Sequence, residues 1–252
     1  MFLRKLYIMS IYDEYSNYVK SILETQDLSN FKSQPSYTYM LEHVSKDQGE
    51  KYLQLIKLMT EITVEEIREF CKMNDSLGNP GRETIDTFTV SPTSLRYIFH
   101  AHLILTHIRN LKLSVLDIVE IGGGYGGLCL ALHFFCNKYM IPINSYTIID
   151  LENAIQLQNL YISKVNPSLQ INFVNSSTFG SNIQKEKMFL ISNYCFSEIE
   201  YNLQIQYIAR LFPKIVHGFM AWNHIPTYYF GFSLREEDEY PKTGQFNKYI
   251  YF

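Results

Sequence analysis

The sequence of 252 residues has no long apolar run. The run at 6–11 follows Arg4 and Lys5, is far too short to cross a bilayer, and meets Asp13 and Glu14 with no small-residue cleavage site. A cytoplasmic protein without a membrane span is expected. Cysteine is scarce: Cys71, Cys129, Cys136 and Cys195 show no CxxC spacing. Cys129 and Cys136 lie seven apart on one predicted helix and read as core residues of a protein in a reducing compartment. Charge is also sparse, at 19% charged residues and a net charge of -3, with no basic run. A nucleic-acid partner is not expected from that balance. No internal repeat or low-complexity tract stands out. Glycine is thinly spread over the chain except at 122–127, where five of six positions are glycine.

The remaining composition is rich. Hydrophobic residues make up 46% of the chain, enough for a sizeable core. The 20 Tyr and 17 Phe read as core and interface packing, with a sugar or base site as the alternative use. Residues 1–110 carry helical periodicity and no glycine-rich loop. Segment 12–23 places Tyr12, Tyr15, Val19, Ile22 and Leu23 at helical spacing. Segments 52–59 and 64–71 repeat the pattern, and Thr63 with Glu66 three residues on predicts a capping box. Segment 74–89 breaks the helices with Asn, Gly and Pro. Ser91-Pro92 then opens a helix over 93–108, with proline where its missing N–H costs nothing. From Leu116 the texture changes to strands at 116–121, 145–149, 171–174, 188–191 and 215–222, with helices at 127–138, 152–165 and 198–211. The aromatic segments 227–232 and 246–252 suit an antiparallel pair on a parallel sheet. The chain thus reads as a helical cap, 1–110, before an α/β domain, 111–252.

Asp117-Ile118-Val119-Glu120-Ile121-Gly122-Gly123-Gly124-Tyr125-Gly126-Gly127 is strand, tight turn, helix: the first unit of a nucleotide-binding sheet. Glycines let backbone approach a ligand closely. Gly122-x-Gly124-x-x-Gly127 fits the dinucleotide fingerprint, and Asp150, 23 residues after Gly127, suits an acid bonded to ribose hydroxyls. Glu120 discriminates between ligands. A pyrophosphate over this turn would face its carboxylate, whereas a ligand with an ammonium there gains from it. S-adenosylmethionine has that ammonium, a sulfonium and a ribose, and no phosphate. Glu120 also reads as an acid favoured near a helix N-terminus.

Glu120-x-Gly122-x-Gly124-x-Gly126 followed by Asp150 resembles the class I S-adenosylmethionine-dependent methyltransferases, over about Leu116 to the C-terminus. The resemblance implies a Rossmann-like α/β sheet, mostly parallel with an antiparallel C-terminal strand. It implies S-adenosylmethionine as cofactor, its methionine part held by Glu120, Gly122, Gly124, Tyr125 and Gly126. Asp150 and Leu151 take the ribose side, and Asn175 and Ser176 the adenine, where the family often has Asp. Asn193 and Tyr194, at the end of the fourth strand, complete the cofactor set. Together with Ser91-Pro92-Thr93-Ser94-Leu95-Arg96-Tyr97, Ile149-Asp150-Leu151 and Ser192-Asn193-Tyr194-Cys195-Phe196-Ser197-Glu198, the pattern is similar to the sugar O-methyltransferases of polysaccharide gene clusters, across nearly the whole chain.

A sugar hydroxyl needs a general base before it attacks a methyl group. His224, after strand 215–222, is the expected base, and Glu198 the residue that orients it or the substrate. Each has a plainer reading, His224 as a loop histidine and Glu198 as a helix-start acid capped by Ser197. Arg96, Tyr97 and Asn223 are the expected substrate contacts, Arg96 through an acceptor phosphate or carboxylate or else as a surface salt bridge. His100 and His107 read as core-edge histidines, and the acidic run 236–239 as a solvated loop. Some sugar O-methyltransferases use a divalent metal. Here Asn193 and Tyr194 stand where a carboxylate ligand is needed, so no metal is expected. The expected function is O-methylation of a sugar, nucleotide-linked or glycan-bound. The rivals are methylation of another small metabolite, a nicotinamide-dependent oxidoreductase, and a non-catalytic binding protein that keeps the pocket.

Overall fold

The computed structural model describes residues 2–113 and 116–252, with side chains from Glu14 onward. The expected apolar position Tyr12 and the run at 6–11 lie outside the described side chains. Four helices open the chain: α1 (Phe2–Thr25), α2 (Pro35–Met40), α3 (Lys46–Met59) and α4 (Val64–Asn74). The predicted cap of α4 is present: the Glu66 N–H donates to Thr63 Oγ1 at 3.2 Å, and the Thr63 N–H to Glu66 Oε2 at 2.7 Å. A second capping box, Ser45 with Gln48, starts α3 several residues before the apolar spacing shows it. The break at 74–89 contains a small hairpin, β1 (Glu83–Ile85) with β2 (Phe88–Val90). Then comes α5 (Pro92–Asn110), with Ser91 as N-cap and Pro92 in its first turn.

The α/β part follows as β3 (Leu116–Ile121), α6 (Gly127–Phe135), β4 (Ile143–Asp150), α7 (Glu152–Val165), β5 (Asn172–Asn175), β6 (Met188–Asn193), α8 (Cys195–Glu198), α9 (Tyr201–Arg210), β7 (Ile215–Trp222), β8 (Arg235–Asp238) and β9 (Lys248–Tyr251). Seven strands form one sheet in the order β5-β4-β3-β6-β7-β9-β8. The first five run parallel, and β9 and β8 are antiparallel additions. The order reverses direction at β3, so the crevice beyond the carboxyl ends of β3 and β6 is the topological switch point.

Two expectations need correction. The antiparallel partner of β9 is not the aromatic segment 227–232, which is irregular and packs Phe230 against Trp222. The partner is the acidic run: Arg235 to Asp238 form the exposed edge strand β8, and only Glu239 turns inward, 1% exposed. Charges along an edge strand discourage further strand addition. The predicted helix 198–211 starts later, as α9 at Tyr201, because Glu198 ends the short α8 and Ile199 is extended.

Strand alternation builds the two cores. One face of the sheet presents Ile118, Tyr146, Ile148, Phe189, Ile191 and Phe219 to a cluster that includes residues of α3, α4, α5, α6 and α7. The opposite face presents Val119, Ile121, Leu190, Met220 and Trp222 to Tyr207, Phe212 and Phe230. Each such side chain, fully buried, stabilises by about 1.5–3 kcal/mol. The first cluster runs without a break across residue 110, and α5 packs on both α3 and α6.

Candidate active site

Successive strand residues alternate between faces, so each row on the face toward the helical cap can be followed to its carboxyl end. On β3 the row Leu116, Ile118 ends in Glu120. On β4, Tyr146 and Ile148 lead to Asp150. On β5, Phe173 leads to Asn175, on β6 Phe189 and Ile191 to Asn193, and after β7 Phe219 and Ala221 to Asn223. Five apolar rows end in five polar residues, and all five line one cavity of about 810 Å³. The cavity is lined from the cap by Met40, Leu41 and Arg96, and from the C-terminal loop by Thr243 and Asn247.

Glu120 is 1% exposed. Tyr146 donates its hydroxyl to Glu120 Oε2 at 2.8 Å. Burial pushes the carboxyl up to about 8, with the Tyr146 bond pulling the other way and Asp150 adding to the rise. Asp150 is raised to about 6 by burial, against the bonds it accepts. Its Oδ2 accepts from the Gly123 N–H at 3.0 Å and from Gln158 Nε2 at 2.8 Å, which ties the second strand to the glycine loop.

At Gly122 and Gly126 glycine is also needed for packing within the protein. A Cβ on Gly122 would stand 2.3 Å from the Cys195 side chain, and one on Gly126 2.7 Å from Ile162. Both have positive φ, +78° and +96°. The missing side chains make room for neighbouring protein as the loop packs between α8 and α7. Gly122 and Gly124 line the cavity, while Gly126 is the left-handed N-cap of α6 and does not.

Tyr125 is corrected outright. It is fully buried behind the loop, where Asn74 Nδ2 donates to its hydroxyl at 3.0 Å. The Lys32 ammonium sits 4.0 Å from its ring centroid. Lys32 in turn donates to the Asn74 carbonyl at 2.6 Å and to Tyr161 Oη at 3.0 Å. This buried network joins the cap to the loop, and its Tyr125 does not reach the cavity.

The other expected residues divide clearly. Leu151, Asn175, Ser176, Asn193, Tyr194, Arg96, Tyr97, Asn223 and Glu198 all line the cavity. Asn175 is held at both ends: its Nδ2 donates to Glu152 Oε2 at 2.6 Å, and its Oδ1 accepts from the Ser177 N–H at 2.9 Å. Asn193 Nδ2 is 2.8 Å from His100 Nδ1, and burial, helped by Arg96, drives His100 well below its usual value. Asn223 Nδ2 donates to Glu198 Oε1 at 2.6 Å. Asn193 Oδ1 and Asn223 Oδ1 are buried with no hydrogen-bond partner among the described residues. Tyr194 donates its hydroxyl to the buried Glu239, which also accepts from the Thr243 N–H at 2.7 Å. His224 is the second correction. It is exposed in the loop after β7 and is not among the cavity residues, because the strand alternation that turns Asn223 inward turns its neighbour out.

Sequence reasoning missed His43, Leu41, Thr243 and Asn247, which come from loops with no motif. The polar ends of β6 and β7 could have been found by following period two past the last apolar residue. Among the described residues, no group of three or more His, Cys, Asp or Glu side chains is placed to hold a metal ion, and no helix is long and apolar enough to cross a membrane.

No protein-family model matches the chain, and no curated protein matches it. Solved structures do. An S-adenosylmethionine-dependent methyltransferase from Clostridium acetobutylicum is 12% identical over 60% of this chain and 70% of that one, with a TM-score of 0.40. An rRNA methylase from Streptococcus thermophilus is 11% identical over 62% of this chain and 95% of that one, at 0.44. The plantazolicin methyltransferase in complex with S-adenosylhomocysteine is 16% identical over 71% of this chain, at 0.39. The chain spans about 60% of the length of that protein. These similarities are in the path of the chain.

Proposed function

We propose that the chain is an S-adenosylmethionine-dependent O-methyltransferase whose acceptor is a sugar hydroxyl, nucleotide-linked or glycan-bound. The observation that supports it most is Glu120, a buried acid at the entry to the glycine loop, in the same cavity as Asp150. A pyrophosphate there opposes the ionisation of that acid. An ammonium meets a partner.

The residues fit the cofactor. Glu120 and the backbone at Gly122 and Gly124 take the methionine part, Asp150 and Leu151 the ribose side, and Asn175 with Ser176 the adenine. When bound, S-adenosylmethionine supplies an electrophilic methyl group on its sulfonium. The chain supplies the rest. Glu198 accepts the proton of the acceptor hydroxyl, and Asn223 Nδ2 fixes its Oε1 by the 2.6 Å bond. The partnerless amide oxygens of Asn193 and Asn223 accept from neighbouring hydroxyls, which suits an acceptor with several of them. The similarity of the Ser91–Tyr97 and Ser192–Glu198 segments to sugar O-methyltransferases points to the same acceptor class.

Calorimetry with S-adenosylhomocysteine and with NAD tests the cofactor: the first is expected to bind and the second not. A screen of nucleotide sugars with labelled S-adenosylmethionine, read by mass shift, tests the acceptor. Glu198→Gln should lower turnover by about 10²–10⁴-fold with S-adenosylhomocysteine affinity kept. His224→Ala should leave turnover within about threefold of wild type, since an exposed side chain outside the cavity makes no contact there.

A further inference from the structure

Arg96 is 4% exposed, on α5, and lines the cavity. Its guanidinium makes one hydrogen bond, Nη2 donating to the Leu41 carbonyl at 3.2 Å. Its Nη1 is buried with no hydrogen-bond partner among the described residues. The rings of Tyr97 and Tyr194 lie 5.7 and 5.8 Å from it. No carboxylate among the described residues forms an ion pair with it, and Glu42, a nearby acid, accepts from Ser91 instead. A buried charge without a counter-ion is costly unless something else completes it.

The position of that charge is specific. Leu41, whose carbonyl holds the guanidinium, also brings its side chain to 3.3 Å from where a Cβ on Gly124 would be. Arg96 therefore stands one residue away from the glycine loop, on the cap side. Glu120 stands at the start of the same loop, on the sheet side. The acid and the guanidinium line one cavity and are not hydrogen-bonded to each other. Each is anchored to a different element, Glu120 by Tyr146 of β4 and Arg96 by Leu41 after α2.

We infer that Glu120 and Arg96 together form a receptor for an α-amino acid zwitterion, with Arg96 taking the α-carboxylate of the methionine part. Arg96 is thereby a cofactor residue and not an acceptor contact. The inference rests on the reading of the cavity as an S-adenosylmethionine site. A guanidinium with a free Nη1 edge matches a carboxylate, and the pair of charges selects for the amino-acid end of the ligand over a bare nucleoside.

The test uses the wild-type protein first, so it does not depend on a variant folding. Binding of S-adenosylhomocysteine is compared with that of its decarboxylated analogue by calorimetry. The analogue is expected to bind about 10–100-fold more weakly. In Arg96→Gln and Arg96→Lys, folding being checked by circular dichroism, the gap should shrink to within about threefold for Gln and remain partial for Lys, while the acceptor KM is unchanged. Equal binding of the two ligands to wild type overturns the inference and leaves the cofactor reading standing. So does an Arg96 variant with wild-type affinity for S-adenosylhomocysteine and a raised acceptor KM, which puts the anion on the acceptor. If S-adenosylhomocysteine does not bind wild type at all, the cofactor reading itself fails and the inference with it.

Discussion

At the scale of single residues, the proposed function gives Glu120 control of how the cavity meets its ligand. Its carboxyl, pushed up to about 8 by burial, is protonated at neutral pH in the free protein. An ammonium needs the carboxylate, so binding expels a proton. Calorimetry of S-adenosylhomocysteine at pH 7 in buffers of different ionisation heat should show release of up to one proton. Affinity should rise from pH 6 toward 8, by at most about tenfold per unit, and then level off. Glu120→Gln should remove both effects and weaken binding by about 10–100-fold. The same shift has the opposite sign for the stability of the free protein. The folded state holds a proton that the unfolded chain releases above about 4.5, so this group's contribution is full below that pH and declines as pH rises through about 8. Ligand binding removes the penalty, so ligand-induced stabilisation should grow over the same window.

At the scale of elements, the turn between β3 and α6 is defined by what packs against it. Gly122→Ala needs a left-handed alanine and a Cβ 2.3 Å from Cys195, so it should destabilise by about 2–4 kcal/mol. Gly124→Ala, with φ +58° and a Leu41 methyl at 3.3 Å, should cost about 1–2 kcal/mol. Urea midpoints of the two variants test that order. Much of this was legible beforehand. The bounds of β3, α7 and β7 follow directly from apolar spacing, and the Thr63–Glu66 box from four letters. The acidic edge strand was not legible, because a strand whose side chains are all exposed has no apolar alternation to read. The late start of α9 was hidden because Ile199 continues the apolar texture while its backbone is extended. In the site, Glu120 and Asp150 stood out as acids at strand ends. Tyr125 did not declare itself, since a tyrosine between glycines looks like a ligand contact until Asn74 and Lys32, far away in sequence, are seen to hold it.

At the scale of the whole molecule, cap and sheet share one core. Residues of α3, α4 and α5 lie in the same cluster as Ile118, Tyr146 and Phe189. Heat or urea should therefore unfold the protein in one transition, with far-UV dichroism and tyrosine fluorescence changing together. Two separated transitions would show that the cap folds independently. The polar row ends have a consequence for ligand shape. Ordered across the sheet they read Asn175, Asp150, Glu120, Asn193, Asn223. Neighbouring strands lie about 4.8 Å apart, so the five tips mark off a line of roughly 19 Å, perpendicular to the strands. The sheet acts as a ruler of fixed pitch. On the proposed function, a ligand lying along it would be read one chemical group per strand, adenine end first, at a pitch set by hydrogen bonding between strands. On the proposed function, a cofactor two strands too short would leave the last tips to the acceptor, and donor and acceptor would lie end to end in one crevice.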